Sequence, residues 1–153
     1  MPTEIEVKYL VDSMPPLTDE IKSEKIVQGY IQRGDGIGEK ATVRVRQLGN
    51  IGFLTIKGKK NSLTQPEYEY QIPIEDALEL FKMCEPGLLE KTRYYIPNGK
   101  HTIELDVFGG KNTGLIVAEI ELNYEGENFE KPDWFGKNVS EDINYSNAFL
   151  SKI

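Results

Sequence analysis

The stretch Glu4-Ile5-Glu6-Val7-Lys8-Tyr9-Leu10 (EIEVKYL, residues 4–10) decides how the chain is read. Successive residues of a β-strand point to opposite faces, so Glu4, Glu6 and Lys8 share one face and Ile5, Val7 and Tyr9 the other. A solvated edge strand carries such a pattern, and so does a strand lining a wet, enclosed space. The sequence around it has to choose.

Working outward, the same alternation recurs. Arg44 and Arg46 share a face in ATVRVRQL (41–48), Thr55 and Lys57 in IGFLTIKG (51–58), and Glu67, Glu69 and Gln71 in PEYEYQIPI (66–74). Lys91 pairs with Arg93 in LLEKTRYYI (88–96), Glu104 with Asp106 in HTIELDVFG (101–109), and Glu119 with Glu121 in LIVAEIELNY (115–124). KIVQGYIQ (25–32) is a further strand with no charged row, and GDGIGE (34–39) is a turn. EDALELFKMCE (75–85) predicts a helix, with acids in its first turn and Pro86-Gly87 beyond its end. Trp134 and Phe135 are expected as core anchors, and NYSNAFLSK (144–152) as a short helix packed over an opening. The fold class is mainly β (α+β): about eight antiparallel strands with one or two helices. Periodicity alone leaves open whether the sheet lies under a helix or closes on itself.

Bulk properties narrow the function. The 153 residues predict one domain, 1–153, and the formal charge of −7 argues against a nucleic-acid partner, which needs a basic footprint. No apolar run approaches the length of a membrane span, and no basic-then-apolar leader is present, so the expectation is a cytoplasmic protein with no membrane partner. Cys84 stands alone, which excludes a disulfide framework and predicts a buried filler; His101 follows Asn98-Gly99-Lys100 and is expected to be exposed. Without a second histidine, a zinc site or a histidine base lacks its usual parts. Ser62 and Thr64 are expected in a loop, and Lys59 and Lys60 either at a solvated rim or drawing polyanions toward an opening.

The charged rows carry the chemistry. Like charges along one strand face repel, so repeated Glu-x-Glu and Arg-x-Arg rows call for oppositely charged neighbouring strands or a ligand. Facing inward, they would bring Glu4, Glu6, Glu67, Glu69, Glu104, Asp106, Glu119 and Glu121 together with Lys8, Arg44, Arg46, Lys57, Lys91 and Arg93. Carboxylates without histidine or cysteine are hard ligands that suit Mg²⁺ or Mn²⁺, and arginine and lysine suit phosphate oxygens. A metal-bound polyphosphate satisfies both halves of the pattern; a protein-only ion network is the competing account.

In this order the residues resemble the CYTH superfamily, the triphosphate tunnel metalloenzymes. EIEVK matches its ExExK signature, followed by Arg44-x-Arg46, Lys57 in TIKG, Glu67-x-Glu69, Arg93, Glu104-x-Asp106 and Glu119-x-Glu121. The resemblance covers nearly the whole chain. It implies a closed tunnel of eight antiparallel strands that binds a triphosphate with Mg²⁺ or Mn²⁺, as in the small bacterial inorganic triphosphatases. It also implies roles. Glu4, Glu6, Glu67, Glu69, Glu119 and Glu121 would face the metal, with Asp106 either assisting there or orienting a basic residue. Lys8, Arg44, Arg46, Lys57 and Arg93 would hold phosphate oxygens, with Lys91 beside Arg93 or at the rim. Glu4, Glu6, Lys8, Arg93, Glu119 and Glu121 would be the catalytic set. Ile143 stands where small bacterial relatives often carry lysine, and Tyr145 would contact a phosphate or cap the tunnel. The expected partner is a small triphosphate or polyphosphate, and a homodimer is an open expectation. The expected reaction is hydrolysis of a terminal phosphoanhydride of tripolyphosphate. The alternatives are cyclisation of ATP to cyclic AMP and pyrophosphate, as in class IV adenylyl cyclases, and binding without turnover.

Overall fold

The computed structural model describes residues 3–34 and 40–152; most of the expected turn at 34–39 lies outside them. Eight strands close into an antiparallel barrel in the order β1-β5-β4-β3-β2-β6-β7-β8. They are β1 (Thr3–Leu10), β2 (Lys22–Gln32), β3 (Thr42–Leu48), β4 (Ile51–Lys57), β5 (Thr64–Ile72), β6 (Leu89–Asn98), β7 (His101–Phe108) and β8 (Ile116–Glu121). Of the two architectures that alternation allowed, closure is the one adopted, and every strand has a neighbour on both sides.

β1 is the closing strand. Its register with β8 runs from Glu6↔Glu121 to Leu10↔Val117, but with β5 only Thr3, Glu4 and Ile5 pair. The later half of β1 is completed by residues 136–140 instead: Leu10 N–H donates to Lys137 O, Val139 N–H to Lys8 O, and Lys8 N–H to Ser140 Oγ. The stagger between β1 and β5 therefore makes room for the C-terminal segment.

The outward apolar face is covered unevenly. Over β1, β7 and β8, Val7, Tyr9, Ile103, Leu105, Ala118 and Ile120 form a core with Phe135, joined by Trp134 and Phe129. The Tyr9 and Phe135 rings lie 4.8 Å apart and Trp134 meets Phe135 edge-on at 4.9 Å, as expected of anchors. Over β4 and β5 the cover is partial: Ala77 of the helix at 74–80 packs on β4 at Gly52, while Ile56 and Tyr70 farther along are exposed.

The helix is shorter than expected. α1 spans Ile74–Leu80 and passes into a 3₁₀ turn at Phe81–Met83. Cys84 leaves that turn extended and half-buried rather than fully buried. It packs on β2, where a Cβ on Gly29 would stand 2.9 Å from the Cys84 sulfur, so the approach requires glycine. Thr64 begins β5 rather than sitting in a loop. The C-terminal segment forms a 3₁₀ turn at Ile143–Tyr145 and the short α2 at Asn147–Leu150, capped by Ser146. Leu150 packs against Leu89, Phe108 and Val117 at one end of the barrel, the capping role expected of it.

Among the described residues no helix is long and apolar enough to cross a membrane.

Candidate triphosphate site

Three ion pairs show which way the charged rows face. Lys57 on β4 reaches Glu4 on β1 at 2.9 Å, Arg44 on β3 reaches Glu69 on β5 at 3.4 Å, and Arg93 on β6 reaches Glu119 on β8 at 3.6 Å. Each pair skips the strand between its two members. Side chains on the convex outside diverge, so contacts over an intervening strand place these groups in the lumen.

The lumen has two electrostatic zones. In the first, Arg93 donates from Nε and Nη2 to the two Asp106 oxygens at 2.8 and 3.0 Å, a bidentate pair. Lys91 Nζ lies 2.7 Å from Asp106 Oδ2 and donates to Asn147 Oδ1 on α2 at 3.1 Å. Asp106 is wholly buried and its oxygens are taken by two cations. It therefore orients basic residues rather than standing open to a metal. Lys91 faces inward and is buried, not at the rim. Burial pushes its ammonium down to about 8, with Asp106 opposing.

The second zone is acidic. Glu6 and Glu121 are cross-strand partners, as are Lys8 and Glu119. Burial first, and then the Glu119 and Glu4 carboxylates, drive Glu6 well above the usual carboxylate range. Burial acts on Glu119 in the same sense, but Lys8 and Lys91 outweigh it and hold Glu119 well below that range. The two carboxyls are thus pushed in opposite directions, Glu6 up and Glu119 down. Glu4 and Glu67 both approach Lys57, at 2.9 and 3.5 Å. Glu69 and Glu121 are the exposed members.

A cavity of about 360 Å³ joins this lumen to the C-terminal segment, with Glu4, Glu6, Lys8, Tyr30, Arg44 and Lys57 in its wall. Lys60 also lines it and donates to Ser140 O at 2.6 Å, so it belongs to the mouth rather than a solvated rim. Ile143 also lines the cavity and is exposed. Tyr145 contributes its backbone carbonyl, which accepts from Lys8 Nζ at 3.2 Å.

Reading charges alone missed β2. Gln28 and Tyr30 lie opposite Arg46 and Arg44 in the β2–β3 register and are buried among them. Their strand shows no charged row, so the only signal was the parity of Gln28 and Tyr30 with each other. His101 is corrected too. It is buried and lies 3.3 Å from Glu127, outside the barrel, because the turn at 123–127 folds over it.

The chain matches the CYTH domain over residues 2–149. It is a member of the CYTH family. The CYTH chain is 39% identical over 155 residues to an inorganic triphosphatase of Acetivibrio thermocellus, covering 99% of this chain and 95% of that one. It is 36% identical to an inorganic triphosphatase of Nitrosomonas europaea, with 97% of each covered. A crystal structure of an inorganic triphosphatase superposes with a TM-score of 0.70 at 34% identity, over all of this chain and 97% of the other. A Hippeastrum protein described as a putative adenylyl cyclase with dominant triphosphatase activity shares the fold at 14% identity and a TM-score of 0.56.

Proposed function

We propose that this CYTH protein is a divalent-metal-dependent triphosphatase that hydrolyses the terminal phosphoanhydride of inorganic tripolyphosphate. The observation that carries this reading is the set of strand-skipping ion pairs, which gather an arginine–lysine row and a carboxylate row into one lumen. Full-length relatives bearing the name inorganic triphosphatase support it.

The residues fit a hard cation by donor chemistry. Among the described residues no three acidic, histidine or cysteine side chains stand as a ready-made ligand set. The crowding of Glu6 by Glu4 and Glu119 is nevertheless the strain a divalent cation relieves. Glu6, Glu119 and Glu121 would hold it, with Glu4, Glu67 and Glu69 nearby, and oxygen donors of this kind suit Mg²⁺ or Mn²⁺. When bound, such a cation polarises phosphoryl oxygens and acidifies a water.

The chain's own groups do the rest. Lys8, Arg44, Arg46 and Lys57 present cations to the phosphate oxygens and offset the charge that grows on the leaving phosphate. Glu119, which Lys8 and Lys91 hold below the usual carboxylate range against the opposing effect of burial, suits the part of a ligand better than that of a base. Arg93 is bound on both sides by Asp106 and Glu104, so it sets the local potential and yields a donor only by exchange.

Protein incubated with Mg²⁺ or Mn²⁺ and tripolyphosphate should release orthophosphate, and a Glu119→Gln, Glu121→Gln double variant should not. Equal release from both would reject the reading. With ATP the products discriminate: orthophosphate marks a hydrolase, pyrophosphate with cyclic AMP a cyclase. Tight calorimetric binding with no product over hours would mark a binding module.

A further inference from the structure

Arg46 differs from the other lumen arginines. Arg44 is paired with Glu69 and Arg93 with Asp106 and Glu104, whereas among the described residues Arg46 makes no ion pair. Its one hydrogen bond runs from Nε to Gln28 Oε1 at 2.9 Å. Guanidinium nitrogens can only donate, so this bond fixes which end of the Gln28 amide is oxygen. The amide nitrogen is then turned to Tyr30 and donates to its hydroxyl at 2.8 Å. Since the Tyr30 oxygen accepts that bond, its own hydrogen remains available to donate. Gln28 is wholly buried and Tyr30 nearly so, and Tyr30 lines the cavity.

A buried amide that uses its oxygen on an arginine and its nitrogen on a phenol is an uncharged brace. It leaves the terminal nitrogens of Arg46 unspent and one hydroxyl hydrogen of Tyr30 free to donate within the cavity, where a carboxylate in place of Gln28 would have neutralised the arginine. We propose that Gln28 is a positioning residue that keeps Arg46 unneutralised for a phosphoryl oxygen, and that Tyr30 is a second, uncharged donor to the same anion. This rests on the lumen taking a triphosphate, as argued above.

The test compares Gln28→Glu, Gln28→Met and Tyr30→Phe with the wild type for melting temperature, kcat and KM on tripolyphosphate, and for calorimetric binding of tripolyphosphate. Gln28→Glu pairs with Arg46, so it should keep or raise the melting temperature while KM rises about ten- to hundredfold and kcat changes little. Gln28→Met removes the same bonds without adding a charge, so a rise in its KM separates positioning from repulsion of the anion by a new carboxylate. Tyr30→Phe keeps the ring packing and should raise KM about three- to tenfold. Gln28→Met keeps the volume but not the bonds and should fall between them.

An unchanged KM in both Gln28→Glu and Tyr30→Phe would overturn the proposal, whatever the melting temperatures. If Gln28→Glu does not fold, Tyr30→Phe decides alone. Should the wild type release no orthophosphate, the proposed activity fails. The brace is then judged on tripolyphosphate affinity, where equal binding by the wild type and Tyr30→Phe would sink it.

Discussion

The two zones of the lumen solve the problem of buried charge in opposite ways. Around Asp106 every ion has its partner: two cations close on one carboxylate inside the wall, with distances of 2.7–3.0 Å. Around Glu6 the carboxylates outnumber their cations, and burial together with the Glu119 and Glu4 carboxylates raises the Glu6 carboxyl well above its ordinary range. The first zone is finished by folding, and the second is left short of positive charge. That difference separates the part of the site that holds shape from the part that waits for a ligand.

The sharpest way to break the contrast is to open the finished zone. Asp106→Ala leaves Arg93 and Lys91 buried without their carboxylate, and should cost about 3–5 kcal/mol in denaturant unfolding. A loss no larger than that of a surface substitution would show that the zone is not closed by ion pairing. In the unfinished zone the same kind of change should act on chemistry instead. Glu6→Gln replaces a carboxyl whose folded-state pKa lies above its unfolded one. The wild-type group therefore contributes stability that is present below about 4.5 and is lost as pH rises through the raised value. Glu6→Gln should match the wild type in acid and be the more stable protein at neutral pH, while tripolyphosphate turnover drops about ten- to hundredfold. Equal pH–stability curves would remove the crowding argument.

The smallest effect sharpens the comparison from outside the barrel. Glu127 accepts from Asn123 and lies 3.1 Å from Lys100 and 3.3 Å from His101; these contacts hold its carboxyl down to about 2. Its contribution is present above 4.5 and lost as pH falls toward about 2. Glu127→Gln should lower the melting temperature at neutral pH, converge with the wild type near pH 2 and leave turnover untouched. A change in turnover would mean that the turn at 123–127 communicates with the lumen.

Much of this was legible in the chain. Parity alone set seven charged rows on one side of their strands, and closure was implied only by the family resemblance that those residues carry. What parity could not show is who pairs with whom. Asp106 and Glu104 look alike in IELDVF, yet register places Asp106 between Arg93 and Lys91 and leaves Glu104 half-exposed with one long contact. Gln28 carries no charge, so its strand looked inert until Arg46 was found beside it. His101 was misjudged because its cover comes from a turn more than twenty residues later. The helix ended early because Pro86-Gly87 marks the end of the connection to β6, not of regular helix, which stops at Leu80.

The seam of the barrel has a consequence for how the protein is made. β1, the earliest of the eight strands along the chain, meets β5 through only three residues and finds its long partner in β8 and the rest of its pairing in residues 136–140. Until residues 116–140 have been synthesised, Glu6 and Lys8 lack their strand partners. Contacts so distant along the chain make closure slow, and they make the finished site a late, all-or-none event of folding. A nascent or truncated chain lacking β8 would have most of its strands and none of its lumen.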